Sequence, residues 1–291
     1  MARTKKPRKR PQPQSSTRNT RVTRVASPKT RLRPAFKILE DVAAAGDRAA
    51  MATPGADDPV VRFDAEILIR GVNGLKSVRL LLEHGHWENA VAVTRQLFEL
   101  LVNMEYLGTL GDRRQATLKY CRFGVLQLID SKLREARYNE KTGRPFDAEW
   151  VSKLELLRGN SFSDFQGKPK ADGKVHFWQT WTGKKTKALA ELSSSAMRAQ
   201  QYDHLYSEWS EQTHATPSSL LDNIFRGADT DWVEEAIATD DRKTVETIMM
   251  TVVLFMELWG ELPNVPELDP AVGLGWTNGL SEFALTVMRG K

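Results

Sequence analysis

Residues 87–110, WENAVAVTRQLFELLVNMEYLGTL, decide the fold, because they predict a long helix that is apolar on nearly every side. Such a helix is buried at the centre of a bundle. One polar line interrupts it at spacings of three or four residues, which places the side chains on one helix face: Arg95, Glu99, Asn103 and Tyr106. Three interpretations of this line stay open here: a functional cleft, a buried polar network, or a narrow exposed face.

Apolar residues at helical spacing continue on both sides of this helix. They predict the following further helices: 35–52, 60–85, 113–139, 147–158, 184–195, 199–214, 217–226, 240–262 and an amphipathic one from Leu280. Residues 159–183 are polar but carry five Phe and Trp residues, so we expect an ordered loop packed onto the helices. No stretch alternates as a β-strand does. The predicted class is all-α, an antiparallel helical bundle with short loops between its first long helices.

The chain divides by composition into four segments. We expect a disordered basic arm at 1–34, a short helix and linker at 35–58, the bundle domain at 59–262 and a C-terminal capping segment at 263–291. The arm has five prolines and no aromatic residue, and therefore too little apolar surface to offset the entropy of ordering. Met51 opens the segment before the bundle, and a start at Met51 instead of Met1 is an alternative explanation of the arm.

Charge is distributed unevenly along the chain. Residues 1–34 hold 12 of the 42 Lys and Arg residues and no acidic residue, which leaves 30 basic against 37 acidic residues, net −7, in the remainder. Such an arm is typical of phosphate contacts with nucleic acid. The single cysteine, Cys121, excludes an intrachain disulfide. No signal-peptide pattern and no apolar run of membrane-spanning length occur, so we expect a soluble, cytoplasmic protein without membrane partners.

A second polar line follows the predicted helix 199–214 and consists of Tyr206, Ser210 and His214. A histidine at a helix C-terminus has its cationic form favoured by the helix dipole, and it exchanges protons near neutral pH. His214 is therefore a candidate general acid or base. The alternative is a capping histidine that bonds the last carbonyls. Within the first line, Arg95 is the candidate phosphate ligand, since guanidinium is a planar fork, and Glu99 is the group that orients it.

Other chemistries find weaker support. Ser210 and His214 share one helix, which rarely gives nucleophilic attack geometry, and no Gly-x-Ser-x-Gly motif occurs. A metal site would use Glu83, His84 and His86, or Glu99 with His214, but no standard ligand spacing is present, so we expect no metal and no cofactor. The Trp181–Lys185 turn is not a phosphate-binding loop, because it lacks the upstream glycine at the spacing that such a loop requires. It predicts an aromatic-anchored turn, with Lys184 available to an anion at the next helix start.

Three motifs in the same order resemble an uncharacterised, mainly bacterial family of helical proteins of unknown function. They are TRQLFELLVNMEYL (94–107), WTGKK (181–185) and LYSEWSEQTHATPSSLL (205–221). The resemblance runs from about Val60 to Phe225. It implies a site built from Arg95, Glu99 and His214, with Asn103, Tyr106, Tyr206, Ser210 and Lys184 around the substrate.

That family in turn resembles the HEPN helical bundles, many of which are metal-independent ribonucleases and many of which form dimers. The resemblance implies RNA rather than DNA as partner, and a homodimer. The HEPN catalytic motif is Arg, four to six residues, then His on one helix, whereas the corresponding positions here are Ser207, Glu208 and Trp209. Arg95 would have to replace that arginine from another helix. Two hypotheses follow: a HEPN-like ribonuclease or RNA-targeting toxin, and a non-enzymatic dimerising or ligand-sensing scaffold with nucleic-acid contact through the arm.

Overall fold

A computed structural model describes residues 26–54, 57–168, 175–209 and 231–289 of the chain. Its α-helices, in chain order, are α1 (Pro28–Arg31), α2 (Arg33–Met51), α3 (Pro59–Glu83), α4 (Trp87–Gly108), α5 (Arg113–Thr142), α6 (Ala148–Ser161), α7 (Thr186–Leu192), α8 (Arg198–Asp203), α9 (Asp231–Gly260) and α10 (Pro270–Met288). A 3-10 turn spans Ser163–Phe165, and a π-helical turn, His204–Glu208, continues α8. These residues contain no strand, only an isolated β-bridge between Gln166 and Phe177. The all-α prediction is confirmed.

Helix α9 forms the centre of the bundle. It packs against α4, α3, α10 and α2, and α4 also packs against α3. Apolar side chains of α9 fill the space between these helices and are fully buried: Ile248, Val252, Leu254, Phe255 and Leu258. Burial of one such side chain stabilises the fold by roughly 1.5–3 kcal/mol. The prediction that the apolar centre of this segment, residues 248–259, lies in a central core helix is confirmed.

Two buried threonines join α4 to α9 within this apolar contact. The hydroxyls of Thr94 and Thr251 lie 2.8 Å apart, and both residues are fully buried. Thr251 donates to the carbonyl of Thr247 at 2.6 Å, and Thr94 lies within hydrogen-bond distance of the Ala90 carbonyl at 3.2 Å. Each hydroxyl thus has partners, and the pair fixes the register of the two helices without leaving a buried polar group unsatisfied.

Helix ends follow signals that the sequence carries. The side chains of Asp58, Asp112, Asp147 and Asp269 each accept a hydrogen bond from a backbone N–H in the first turn of the helix that follows. Such caps satisfy N–H groups that have no partner within the helix. The predicted start of α5 at Gly111-Asp112 is confirmed. Gly143 ends α5 in the left-handed conformation, with φ of 68°.

The predicted boundary of the disordered arm at residue 34 is wrong. Helix α1 and the start of α2 lie on the body: Arg31 pairs with Asp241 at 2.6 Å, Lys29 pairs with Glu83 at 2.9 Å, and Leu32 is buried. Basic residues of the arm find acidic partners on the net acidic body, which orders this part of the segment. Residues 1–25 lie outside the described residues.

Three further element predictions need correction. Helix α2 packs on α3, α9 and α10, so residues 35–51 belong to the bundle and are not a short helix before a linker. Helix α10 begins at Pro270 instead of Leu280, because Asp269 caps it and proline is favoured in the first turn. Helix α9 begins at Asp231 instead of Asp240. The predicted helix 217–226 lies outside the described residues. In the described part of the chain, no helix is both long enough and apolar enough to cross a membrane.

We predict that Gly46→Ala destabilises the bundle, because a Cβ at Gly46 would lie 2.6 Å from Val72 Cγ2 and 2.8 Å from Phe255 Cζ. Overpacking of this kind costs about 1–3 kcal/mol, which outweighs a gain of up to about 1 kcal/mol in helix propensity. The control is Gly124→Ala in α5, where nothing lies within 4 Å of the added Cβ. In urea denaturation, Gly124→Ala should be neutral or stabilising. Equal effects of the two changes would contradict the described contact of α2 with α9.

Candidate functional site

Tyr206 connects the two predicted polar lines. The Arg95 guanidinium lies over the Tyr206 ring, 4.1 Å from its centroid. The Tyr206 hydroxyl donates a short hydrogen bond to Glu99 Oε1. Arg95 and Glu99, one turn apart on α4, are therefore both held by one side chain of the segment that follows α8, a connection that the sequence analysis did not include.

The π-helical turn that carries Tyr206 is packed on aromatic side chains. The turn is wider than an α-helical turn, because the Trp209 N–H donates to the carbonyl of His204, five residues earlier, at 3.3 Å. Trp209 is buried. The ring of Tyr206 stacks on Tyr202 with centroids 4.4 Å apart, and its edge meets Phe98 of α4 at 6.4 Å. Single π-helical turns often occur at functional sites, where they shift a side chain out of regular helical register.

The environment of Tyr206 keeps its phenol protonated. Burial raises the pKa of Tyr206 well above its usual range, and the hydrogen bond to Glu99 and the charge of that carboxylate raise the pKa further. Arg95 acts in the opposite direction but does not reverse the shift. The phenol is therefore a permanent donor to Glu99 at physiological pH.

Asn103 joins the Trp181 turn to α4. The Trp181 indole N–H donates to Asn103 Oδ1 at 2.6 Å, and Asn103 Nδ2 donates to the Glu99 carbonyl at 2.6 Å. The buried Trp181 ring also meets the edges of Tyr106 and Tyr120, with centroids 5.7 and 5.4 Å away. Tyr106, a predicted substrate contact, thus supports the turn.

The turn itself matches the aromatic-anchored form predicted from the sequence. Gly183 has a φ of 70°, and a Cβ there would lie 3.1 Å from the Trp178 ring, so both the backbone and the packing require glycine. The Lys184 side chain is exposed. Helix α7 begins at Thr186, two residues later than predicted, so Lys184 belongs to the turn and not to the helix start.

A polar cleft of about 670 Å³ opens beside this network, between α3, α4 and α5. Its floor includes Glu99 and Asn103. The other lining residues are Phe63, Glu66, Ile67, Ile69, Arg70, Asn73, Gln96, Leu100, Tyr120 and Gln127. Four side-chain amides and two aromatic rings line the cleft, together with two acidic residues and one basic residue. Such a lining donates and accepts hydrogen bonds with little net charge, which suits a planar polar ligand.

A family model described as a family of unknown function, DUF5677, matches residues 65–231, more than half of the chain. The chain belongs to this family. The resemblance to a helical family of unknown function that the three motifs carry is confirmed. A search of the curated proteins and a search of the solved structures each find no significant match. The family match spans most of α3 to the start of α9 and so includes the whole Arg95–Tyr206–Glu99 network, the Trp181 turn and every cleft residue except Phe63.

Several cleft residues escaped the sequence analysis, although a signal was present. Glu66, Arg70 and Asn73 recur at spacings of four and three residues on α3 and form a polar line like that of α4. Tyr120 and Gln127 stand seven residues apart on α5 in the same way. Three polar lines on three neighbouring helices would have predicted a shared cleft.

A second polar cluster, which includes Glu105 of α4, is centred on the buried cation of Arg198. Arg198 is buried and donates to Glu105 at 2.7 Å, to Gln201 at 2.7 Å and to Glu257 at 2.9 Å. Burial raises the pKa of Glu257, and the nearby Arg198 opposes the rise. The cluster joins α4, α8 and α9. Removal of one partner from such a buried pair typically costs about 3–5 kcal/mol, so we assign it a structural role.

The remaining predicted site residues fall into two groups. Ser210 and His214 lie outside the described residues. Of the weaker metal candidates, Glu83 pairs with Lys29 at 2.9 Å and with Arg79 at 3.4 Å, while His84 and His86 are exposed. Within the described ranges, no three His, Cys, Asp or Glu side chains form a group able to hold a metal ion.

We predict that Tyr206→Phe lowers the free energy of unfolding by about 1–2 kcal/mol at pH 7, because Glu99 loses its donor while the ring contacts remain. The raised pKa of Tyr206 adds a pH dependence. Its contribution is complete below the ordinary value of 10 and is lost as the pH rises towards the folded-state pKa. The difference between wild type and variant should therefore shrink above pH 10.

Urea denaturation at pH 7 and at pH 10.5 measures both effects, and Tyr138→Phe is the control, since that side chain is 54% exposed. The control should change stability by less than about 0.5 kcal/mol. A Tyr206→Phe protein as stable as wild type, or a difference that grows above pH 10, would contradict the described network.

Proposed function

We propose that this protein is a HEPN-like, metal-independent ribonuclease that holds single-stranded RNA along the polar strip of α4. Arg95 binds the phosphate, the cleft holds a nucleobase, and His214 moves the proton. The observation that carries the proposal is the placement of Arg95 on the Tyr206 ring at 4.1 Å, with Glu99 and Asn103 leading from it into the cleft.

The cleft suits a base better than a phosphate. Its charged lining residues are Glu66, Arg70 and Glu99, a net charge of −1, which disfavours an anion inside. Its volume of about 670 Å³ lies in the usual range for small-ligand sites. Unpaired RNA bases are read by hydrogen bonds to their edges and by stacking on aromatic rings, and the cleft supplies amides and Tyr120 for these contacts.

Arg95 is arranged to bind a phosphate next to that base. The ring of Tyr206 covers one face of the guanidinium, and the N–H donors of guanidinium lie in its plane, where a phosphate binds in bidentate fashion. Glu99 and Tyr206 are positioning residues in this scheme, because Tyr206 donates to Glu99 while its ring carries Arg95. A preorganised cation of this kind stabilises charge that develops on phosphorus oxygens during cleavage.

Cleavage without a metal uses the RNA 2′-hydroxyl as the nucleophile. Its oxygen forms a bond to phosphorus, the bond to the 5′-oxygen breaks, and a 2′,3′-cyclic phosphate remains. One proton leaves the 2′-hydroxyl and one proton is added to the 5′-oxygen, and a histidine near neutral pH catalyses such transfers. This chemistry requires RNA as the substrate, because DNA lacks the 2′-hydroxyl. The nine basic residues of 1–25 would add sequence-independent affinity for nucleic acid.

A second candidate, a non-enzymatic dimerising scaffold, rests on a different part of the molecule. Helix α6 buries none of its residues, and Trp150, Leu156 and Leu157 are 42–65% exposed. Exposed apolar side chains in this number mark protein contact surfaces. This candidate predicts a concentration-dependent dimer without RNA cleavage.

We predict that His214→Asn and Arg95→Gln each lower RNA cleavage by roughly 10²-fold or more, the order expected for a lost acid–base or phosphate-binding group. Asn keeps a side-chain N–H donor at position 214, so the melting temperature of this variant should stay close to that of wild type. Cleavage of a labelled single-stranded RNA without divalent ions, with 2′-deoxy substrate as the negative control, measures the effect.

Arg48→Gln is the matched protein control, since Arg48 is exposed on α2 and does not line the cleft. It should cleave RNA like wild type. Undiminished cleavage by both site variants, or a wild-type protein that forms dimers and leaves RNA intact, would replace the ribonuclease proposal with the scaffold.

A further inference from the structure

A second cavity, the α5–α6 groove, lies between α5, α6 and the segment 175–179. Its volume is about 750 Å³. Its lining combines aromatic, aliphatic and polar residues with three arginines and one aspartate: Phe123, Leu126, Gln127, Asp130, Arg134, Arg137, Arg158, Val175, His176, Phe177, Trp178 and Gln179. None of the predicted site residues lies in it, so the ribonuclease proposal leaves its function unassigned.

Three arginines give the groove a positive charge. Arg134 is exposed, and no carboxylate among the described residues forms an ion pair with it. Arg137 pairs with Glu155 at 3.3 Å, but both side chains are more than half exposed, and such pairs contribute little. Even with Glu155 and Asp130 counted, the groove keeps a net charge of +1, on a body that is acidic as a whole.

The third arginine of the groove lies on one of its aromatic rings, and these rings are partly accessible to other flat groups. Arg158 lies over the Phe177 ring at 4.2 Å and pairs with Asp130 at 2.7 Å. Phe177 and Trp178 are only half-buried. Aromatic side chains beside a positively charged groove are the combination that binds single-stranded nucleic acid, because bases stack on the rings while cations contact the phosphates.

Gln127 lines both the groove and the cleft beside α4. The two cavities therefore adjoin at Gln127 on α5, which gives a strand whose base occupies the cleft a path into the groove. The charge of each cavity matches the part of the strand that we assign to it. The cleft, with a net charge of −1, receives an uncharged base, whereas the positive groove receives phosphates.

We propose that the α5–α6 groove is a second binding site for single-stranded RNA, with phosphates on Arg134 and Arg137 and a base against Phe177 and Trp178. The path of the strand from the cleft rests on the proposed function. Binding in the groove itself does not require cleavage. The site is distinct from the basic arm, and it places sequence-independent RNA contacts on the folded body.

The first test measures the salt dependence of binding by the full chain. Fluorescence anisotropy of a labelled, single-stranded 2′-O-methyl oligouridine, which the proposed chemistry cannot cleave, gives the affinity at several salt concentrations. The double variant Arg134→Gln/Arg137→Gln should lower the slope of log K against log salt by about 1.4, since each phosphate contact on a single strand contributes about 0.7. The control Arg48→Gln/Arg242→Gln removes two other exposed arginines and should leave the slope unchanged.

The second test locates the RNA. A 4-thiouridine oligonucleotide cross-linked by ultraviolet light should modify the peptide that contains Phe177 and Trp178, and the modification should disappear in the groove variant. Cross-links confined to other peptides, or an unchanged salt slope, would overturn the proposal. So would preferential binding of an acidic peptide over RNA. Groove binding without any cleavage would leave this proposal intact and refute the ribonuclease, whereas cleavage with normal groove-variant binding would do the reverse.

Discussion

The packing of α4 between α3 and α9 is the constraint on which the rest of the site depends. Apolar side chains cover α4 on both sides, and the Thr94–Thr251 contact fixes its register against α9. Its polar residues are left with a narrow strip. Polar groups in such a position need hydrogen-bond partners. Glu99 accepts from Tyr206 and Asn103 accepts from Trp181, and these bonds hold the Tyr206 segment and the Trp181 turn against the strip.

Two charge clusters on α4 differ in how their carboxylates are held. Arg198 pairs with both Glu105 and Glu257, and one oxygen of the first carboxylate, Glu105 Oε2, has no hydrogen-bond partner among the described residues. Glu99 instead accepts from Tyr206 and lines an open cleft beside amide side chains. Ion pairing to Arg198 explains the first cluster without a ligand. The second combines a fixed cation, a fixed carboxylate and an accessible volume, the features expected where a ligand completes the network.

The sequence predicted the helices and their order because apolar periodicity and caps are local signals. Asp112 and the apolar centre of α9 are two examples. The start of α10 was missed, because its first half is rich in glycine and lacks an amphipathic pattern. The ordering of residues 28–34 was not predicted from the sequence, because it depends on the ion pair of Arg31 with Asp241, 210 positions away. Contacts of this range leave no periodic trace in one sequence.

The candidate site was predicted only in part, because some of its contacts also join segments that are distant in the sequence. The α4 line was visible as four polar positions on an apolar helix, and Tyr206 was singled out by spacing. Its link to Glu99, and the link of Trp181 to Asn103, depend on how separate segments pack. The regular helix expected through residue 214 also gave no indication of the π-helical turn at His204–Glu208, whose winding sets the position of the Tyr206 ring.

The most direct test of the central claim, that the polar strip of α4 and its cleft bind a nucleotide, is side-chain amide NMR of the full chain during titration with uridine monophosphate. The account predicts saturable shifts for the amides of Asn73, Gln96, Asn103 and Gln127 and for the Trp181 indole N–H, which lie in or beside the cleft. The amides of Asn139 on α5 and Asn278 on α10 should not move. The account would be contradicted if the cleft amides did not shift, or if the amides of Asn139 and Asn278 shifted as much as the cleft amides.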